Sequence, residues 1–118
     1  MTLEQSKFVN ELRNLHSSLA EIIDRRVSED GSFYCYSIMH GIYEFLLTNP
    51  PNRADIARFL AGKLDPYHDD EISNLIAIGF VESIESESQL NQILHNCGES
   101  VDSIRVQWAL FMKSYPGF

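Results

Sequence analysis

The amino-acid sequence predicts an all-α fold, a single-domain bundle of about six helices with short loops, spanning residues 1–118. Three observations carry that expectation. Apolar side chains recur every three or four residues along most of the chain, the spacing that lines one face of a helix. Clusters of turn-forming residues separate those stretches at 28–32, 49–52, 65–69 and 85–88, and again at Gly98. No segment alternates apolar and polar residues long enough to read as a strand, and no internal repeat is visible. At 118 residues the chain can bury one substantial core but not two.

The first helix is predicted over residues 3–26, where Phe8, Leu12, Leu15, Leu19 and Ile22 form one continuous stripe. Glu4 at its start and Arg25 and Arg26 at its end suit the helix dipole. His16 falls on the polar flank and reads as a solvated side chain rather than a ligand. A second helix over residues 33–48 is apolar nearly all round, with Ile38, Met39, Ile42, Phe45 and Leu46, which predicts a central position. Pro50 and Pro51 stop it. Asn52 is placed to cap a third helix over 53–64 that turns Ile56, Phe59, Leu60 and Leu64 inward. Arg53, Arg58 and Lys63 make this the most basic helix, and they read as partners for the acidic segment that follows or as solvated charges.

A fourth helix is predicted over residues 70–84, with Asp69, Asp70 and Glu71 bringing negative charge to its N-terminus. Ile72, Leu75, Ile76, Gly79 and Phe80 share one face. A glycine inside a helix costs about 1 kcal/mol against alanine, and a close helix–helix approach would explain its use at position 79. Glu71, Asn74, Ile78, Glu82 and Glu85 form a second stripe, an isoleucine framed by carboxylates and an amide. Two readings of Ile78 stay open at this point. It packs against a neighbouring helix, or it stands in solvent as an apolar anchor ringed by charge, as protein interfaces are built. Ser88 then caps a short fifth helix reaching Cys97, Gly98 terminates it, and Val101, Ile104, Trp108 and Phe111 line a last helix.

Charge is spread unevenly. Residues 65–102 hold nine carboxylates and no lysine or arginine, whereas the other 80 residues carry eight acids and nine bases. The formal charge of −8 therefore belongs to one segment. Such a segment disfavours nucleic acid and anionic membranes as direct partners and favours a basic protein. An apolar fraction of 44% excludes a disordered chain. No run approaches the roughly 18 apolar residues of a membrane span. The start lacks the basic and apolar regions of a secretory signal, so a cytoplasmic location is expected. There Cys35 and Cys97 are expected to be reduced and packed as small hydrophobes.

The catalytic inventory is thin. No glycine-rich phosphate loop, nucleophile elbow or dinucleotide fingerprint is present. Cys35 and His40 are five apart, a poor spacing for one helical face, and His95 and Cys97 fall on different sides of a helix. His68 adjoins Asp69, Asp70 and Glu71, but consecutive residues diverge around a helix axis and meet no metal-site spacing. The expectation is a protein that is not an enzyme and uses no cofactor or metal. A competing reading sets Tyr34, Tyr36, His40 and Tyr43 around a pocket, as in a small ligand-binding domain or enzyme, against simple core packing of those aromatics. An adaptor for a basic protein shares the acidic surface and differs only in partner.

Within residues 68–84, Asp70, Asn74-Leu75-Ile76, Gly79-Phe80 and Glu82 resemble a segment of small acidic helical immunity proteins. These are encoded beside the toxins of bacterial contact-dependent growth inhibition and related polymorphic toxin systems. The match is clear over that stretch, looser from the third helix onward, and absent from the first 50 residues. It implies a stoichiometric inhibitor that binds a cognate toxin domain, often a nuclease with a basic cleft, inside the cell. The residues expected to make the contact are Asp69, Asp70, Glu71, Asn74, Ile78, Glu82, Glu85 and Glu87. Their carboxylates would steer association, and Ile78 would slow dissociation.

Overall fold

Thr2 opens the chain's first helix with a reciprocal cap. Its hydroxyl accepts from the Gln5 amide, and Gln5 Oε1 accepts from the Thr2 amide. The computed structural model describes residues 1–30 and 35–114. Among these residues it has seven α-helices, two 3₁₀ turns and no strand. The helices are α1 (Leu3–Leu15), α2 (Ser17–Asp30), α3 (Cys35–Leu47), α4 (Arg53–Lys63), α5 (Glu71–Gly79), α6 (Glu87–Ile93) and α7 (Asp102–Ser114). The 3₁₀ turns are Val81–Ser83 and Gly98–Val101.

The expected first helix is two helices. His16 is extended, and its carbonyl accepts from the amides of Leu19 and Ala20, so the residue that ends α1 also starts α2. Ser17 and Ser18 favour such a start, because serine is better at helix N-termini than in helix interiors. The break folds α2 back over α1, where Arg13 pairs with Asp24. Phe8, Val9 and Leu12 of α1 and Leu19 and Ile23 of α2 then enter one core. His16 is also not the solvated side chain expected. It is half-buried, its Nε2 lacks a hydrogen-bond partner, and the Asp55 carboxylate is 3.9 Å away.

α3 takes the predicted central place, with Ile38, Met39, Ile42 and Leu46 fully buried and α2, α5 and α6 packed around it. The approach to α5 is tight at Gly79. A Cβ there would lie 2.6 Å from Met39 Cβ and 3.4 Å from Tyr36 Cα, too near for any larger residue without a shift.

α5 is shorter than expected, ending at Gly79 rather than running to residue 84. Ser83 supplies the reason. Its hydroxyl donates to the Gly79 carbonyl at 3.0 Å, the acceptor that a continuing helix would give to its amide. Its amide donates instead to Phe80 O, and the chain tightens into the 3₁₀ turn. Two caps also differ from expectation. Asn52 precedes α4 but makes no side-chain cap, its amide donating to Ser18 Oγ instead. Ser86, not Ser88, caps α6, which ends at Ile93, short of Cys97. Gly98 does adopt a left-handed backbone (φ 69°), which disfavours side-chain-bearing residues.

Arg53 overturns the expectation for the basic helix. It is buried, and its guanidinium donates to Ile93 O at 2.5 Å, His95 O at 2.7 Å and Asn49 Oδ1 at 3.0 Å. Carbonyls left open at the last residue of α6 and just beyond it are thus satisfied by a cation, where the helix dipole favours one. Arg58 pairs with Asp55, and Lys63 pairs with Glu11. Neither pairs with a carboxylate of the acidic segment, although Arg58 reaches Asn96 O and Ser100 Oγ within it.

Candidate functional site

The acidic surface is built on α5 and the turn that follows it. Asp70 is the N-cap, its Oδ1 accepting from the Ser73 amide at 2.8 Å. Ser73 faces inward and accepts from the Asp65 amide, tying the loop before α5 to the helix. Asn74 donates to Asp69 Oδ1 at 2.7 Å, and Thr2 Oγ1 donates to Glu71 Oε1 at 2.5 Å. That last bond fixes the start of the stripe to the N-terminus of α1. No helical period could have revealed it, because the two residues are 69 apart in sequence.

Leu75, Ile76, Ala77 and Gly79 are buried, while Ile78 is 52% exposed. Of the two readings of Ile78, the structure selects the side chain in solvent. Asn74 lies one turn before it on the same face. Because α5 ends at Gly79, Glu82, in the 3₁₀ turn, and Glu85, beyond it, do not continue the helical stripe expected from their spacing, though both are exposed. Glu87 sits in the first turn of α6, where a carboxylate suits the dipole.

None of Asp69, Asp70, Glu71, Glu82, Glu85 and Glu87 forms an ion pair with a lysine or arginine among the described residues. Glu82 is also partly desolvated by surrounding protein, which raises its carboxyl above the usual range. Asp65, at the segment's edge, differs. The Tyr67 amide and then His68 hold its carboxyl below the usual range. Asp102 at the other edge pairs with Arg105.

Of the aromatic residues of the competing pocket, His40 and Tyr43 stay in ring contact, 5.4 Å between centroids, but they differ in burial. Tyr34 lies outside the described residues. Tyr43 is buried, its hydroxyl donating to Gln89 Oε1 at 2.8 Å, and burial followed by the nearby Glu85 raises its phenol. Tyr36 is 48% exposed, and His40 is exposed with Nδ1 3.1 Å from Ser83 Oγ. A groove of about 460 Å³ lies between α2 and α3, lined by Ile22, Arg25, Arg26, Gly41, Glu44 and Phe45 among others, and by none of these aromatics.

Cys35 and Cys97 are both free and buried, and burial raises the Cys35 thiol. Among the described residues, no three His, Cys, Asp or Glu side chains are grouped to hold a metal, and no helix is long and apolar enough to cross a membrane. His68 is exposed and bound to Asp65 at 2.5 Å rather than gathered with Asp69, Asp70 and Glu71.

Tyr36 and His40 join the acidic surface from α3, which periodicity on α5 alone did not show. Their spacing of four marked a shared face, but only the fold reveals what that face adjoins. Much of the segment that carries the resemblance acts in folding. Asp70 caps, Leu75, Ile76 and Phe80 fill the core, and Gly79 admits α3. No protein-family model, curated protein or solved structure matches the chain.

Proposed function

We propose that this chain is an immunity protein that binds a basic toxin domain, of nuclease type on the resemblance of residues 68–84, and neutralises it. The contact is made by Asp69, Asp70, Glu71, Asn74, Ile78, Glu82, Glu85 and Glu87. The observation that carries this reading is Ile78, half in solvent on a helix whose surrounding carboxylates have no lysine or arginine partner. A monomer gains nothing from exposing that side chain, whereas an interface uses an apolar centre within a charged rim. Unpaired carboxylates held on a folded surface attract a cationic cleft over a distance of about one Debye length, roughly 8–10 Å at physiological salt. Once docked, they occupy the positions a nucleic-acid phosphate backbone would take, and Ile78 retards release.

Replacing Glu71, Glu82 and Glu85 together with lysine tests this. The triple variant should keep its helical circular dichroism and bind the toxin domain encoded immediately upstream at least tenfold more weakly. Unchanged affinity would remove this surface from the mechanism.

A further inference from the structure

Gly79 does more than let two helices touch, because it sets α3 and α5 side by side at the surface. Tyr36 Cα lies 3.4 Å from where a Cβ at position 79 would be, and four residues on, His40 Nδ1 lies 3.1 Å from Ser83 Oγ. Residue numbers rise together on the two sides, so residues 36 and 40 of α3 run beside 78–79 and 82–83. Tyr36 and His40 share a helical face, and that face is in solvent. Ile78 and Glu82 are the chain neighbours of Gly79 and Ser83, so the half-exposed Tyr36 is placed within a residue of the half-exposed Ile78 and His40 within a residue of Glu82.

We propose that this α3–α5 seam is the centre of the docking surface, receiving a lysine or arginine of the basic partner between Tyr36 and Ile78 with Glu82 meeting its charge. The proposal rests on the reading that the chain binds a basic protein. Three features favour a cationic side chain over other occupants. A tyrosine ring attracts a cation over its face, and the long stems of lysine and arginine cover apolar surface such as Ile78. Glu82 has no cation of its own, and the arginine on the neighbouring side, Arg26, is already bound to Glu44 at 2.6 Å. A second copy of this chain is disfavoured, since a two-fold contact would set the same carboxylates against each other.

Calorimetric titration with the upstream-encoded toxin domain tests the seam. Tyr36→Ala and Ile78→Ala should each weaken binding tenfold or more, Tyr36→Phe should stay within about twofold of wild type, and the exposed Tyr67→Ala should change nothing. If Ile78→Ala weakens binding while Tyr36→Ala stays within twofold, the α5 surface stands and the seam is overturned. If neither matters, or the wild-type chain does not bind, the inhibitor reading falls and this proposal with it. A measurement on the unmodified chain covers a Tyr36 variant that fails to fold. Photochemically induced nuclear polarisation of the Tyr36 ring should disappear in the complex, and its persistence would overturn the seam.

Discussion

Residues 1–64 and residues 65–102 hold almost the same number of acids, eight and nine, but only the first region holds bases, seven of them. In the first, charges answer one another across helices, Arg13 with Asp24, Arg26 with Glu44 and Lys63 with Glu11, and within α4, Arg58 with Asp55. In the second, Asp65 at one edge meets His68 and Asp102 at the other pairs with Arg105, while the carboxylates between them cap a helix, accept from an amide or hydroxyl, or have no lysine or arginine partner. The first arrangement is what a folded surface needs for itself. The second leaves attraction unspent, and it surrounds the exposed Ile78. Negative charge identifies a candidate surface only where it has not been neutralised at home.

The comparison can be broken first at Arg53, where the basic region reaches the acidic one through main-chain carbonyls. Arg53→Ala should cost about 3 kcal/mol, because carbonyls at the last residue of α6 and just beyond it lose their donors. Chemical denaturation measures this, and a loss below about 1 kcal/mol would mean that the two regions hold their shapes independently. Gly79→Ala should cost about 1–2 kcal/mol, since contact with Met39 outweighs the better helix propensity of alanine. A gain in melting temperature would show that the seam is not tightly packed.

Glu82→Gln gives the smallest effect and a definite sign. Burial raises the folded-state pKa of Glu82 above its unfolded value, so the folded chain holds that proton more tightly. Ionising it therefore removes stability as pH rises through this range. The variant should be more stable than wild type at pH 7, by less than about 0.5 kcal/mol because solvent screens an exposed group, with the difference vanishing near pH 3. Thermal melts at the two pH values check it. The opposite sign would mean that Glu82 has a cationic partner.

The helical class, the central position of α3 and the close approach at Gly79 were all legible from apolar spacing and one costly glycine. The corner at His16 was not, because the stripe from Phe8 to Ile22 keeps its period across it. Only Ser17-Ser18 hinted at a new start. The end of α5 was hidden for a related reason. A hydroxyl taking the carbonyl four residues back is invisible to a pattern of apolar residues. Composition located the acidic surface, but Arg53 could not be recognised as buried, since its acceptors are carbonyls some 40 residues away. Nor could spacing on α5 reveal that Tyr36 comes against Gly79, which depends on how two helices meet.

The rate of association with the proposed partner, a basic toxin domain, tests the contrast between the two regions most directly, measured against salt for two matched pairs of charge reversals. Glu82→Lys with Glu85→Lys should abolish most of the salt-sensitive rate, while Glu11→Lys with Asp24→Lys, in the paired region, should leave it within about twofold of wild type. Equal losses from both pairs, or a wild-type rate indifferent to salt, would contradict the account.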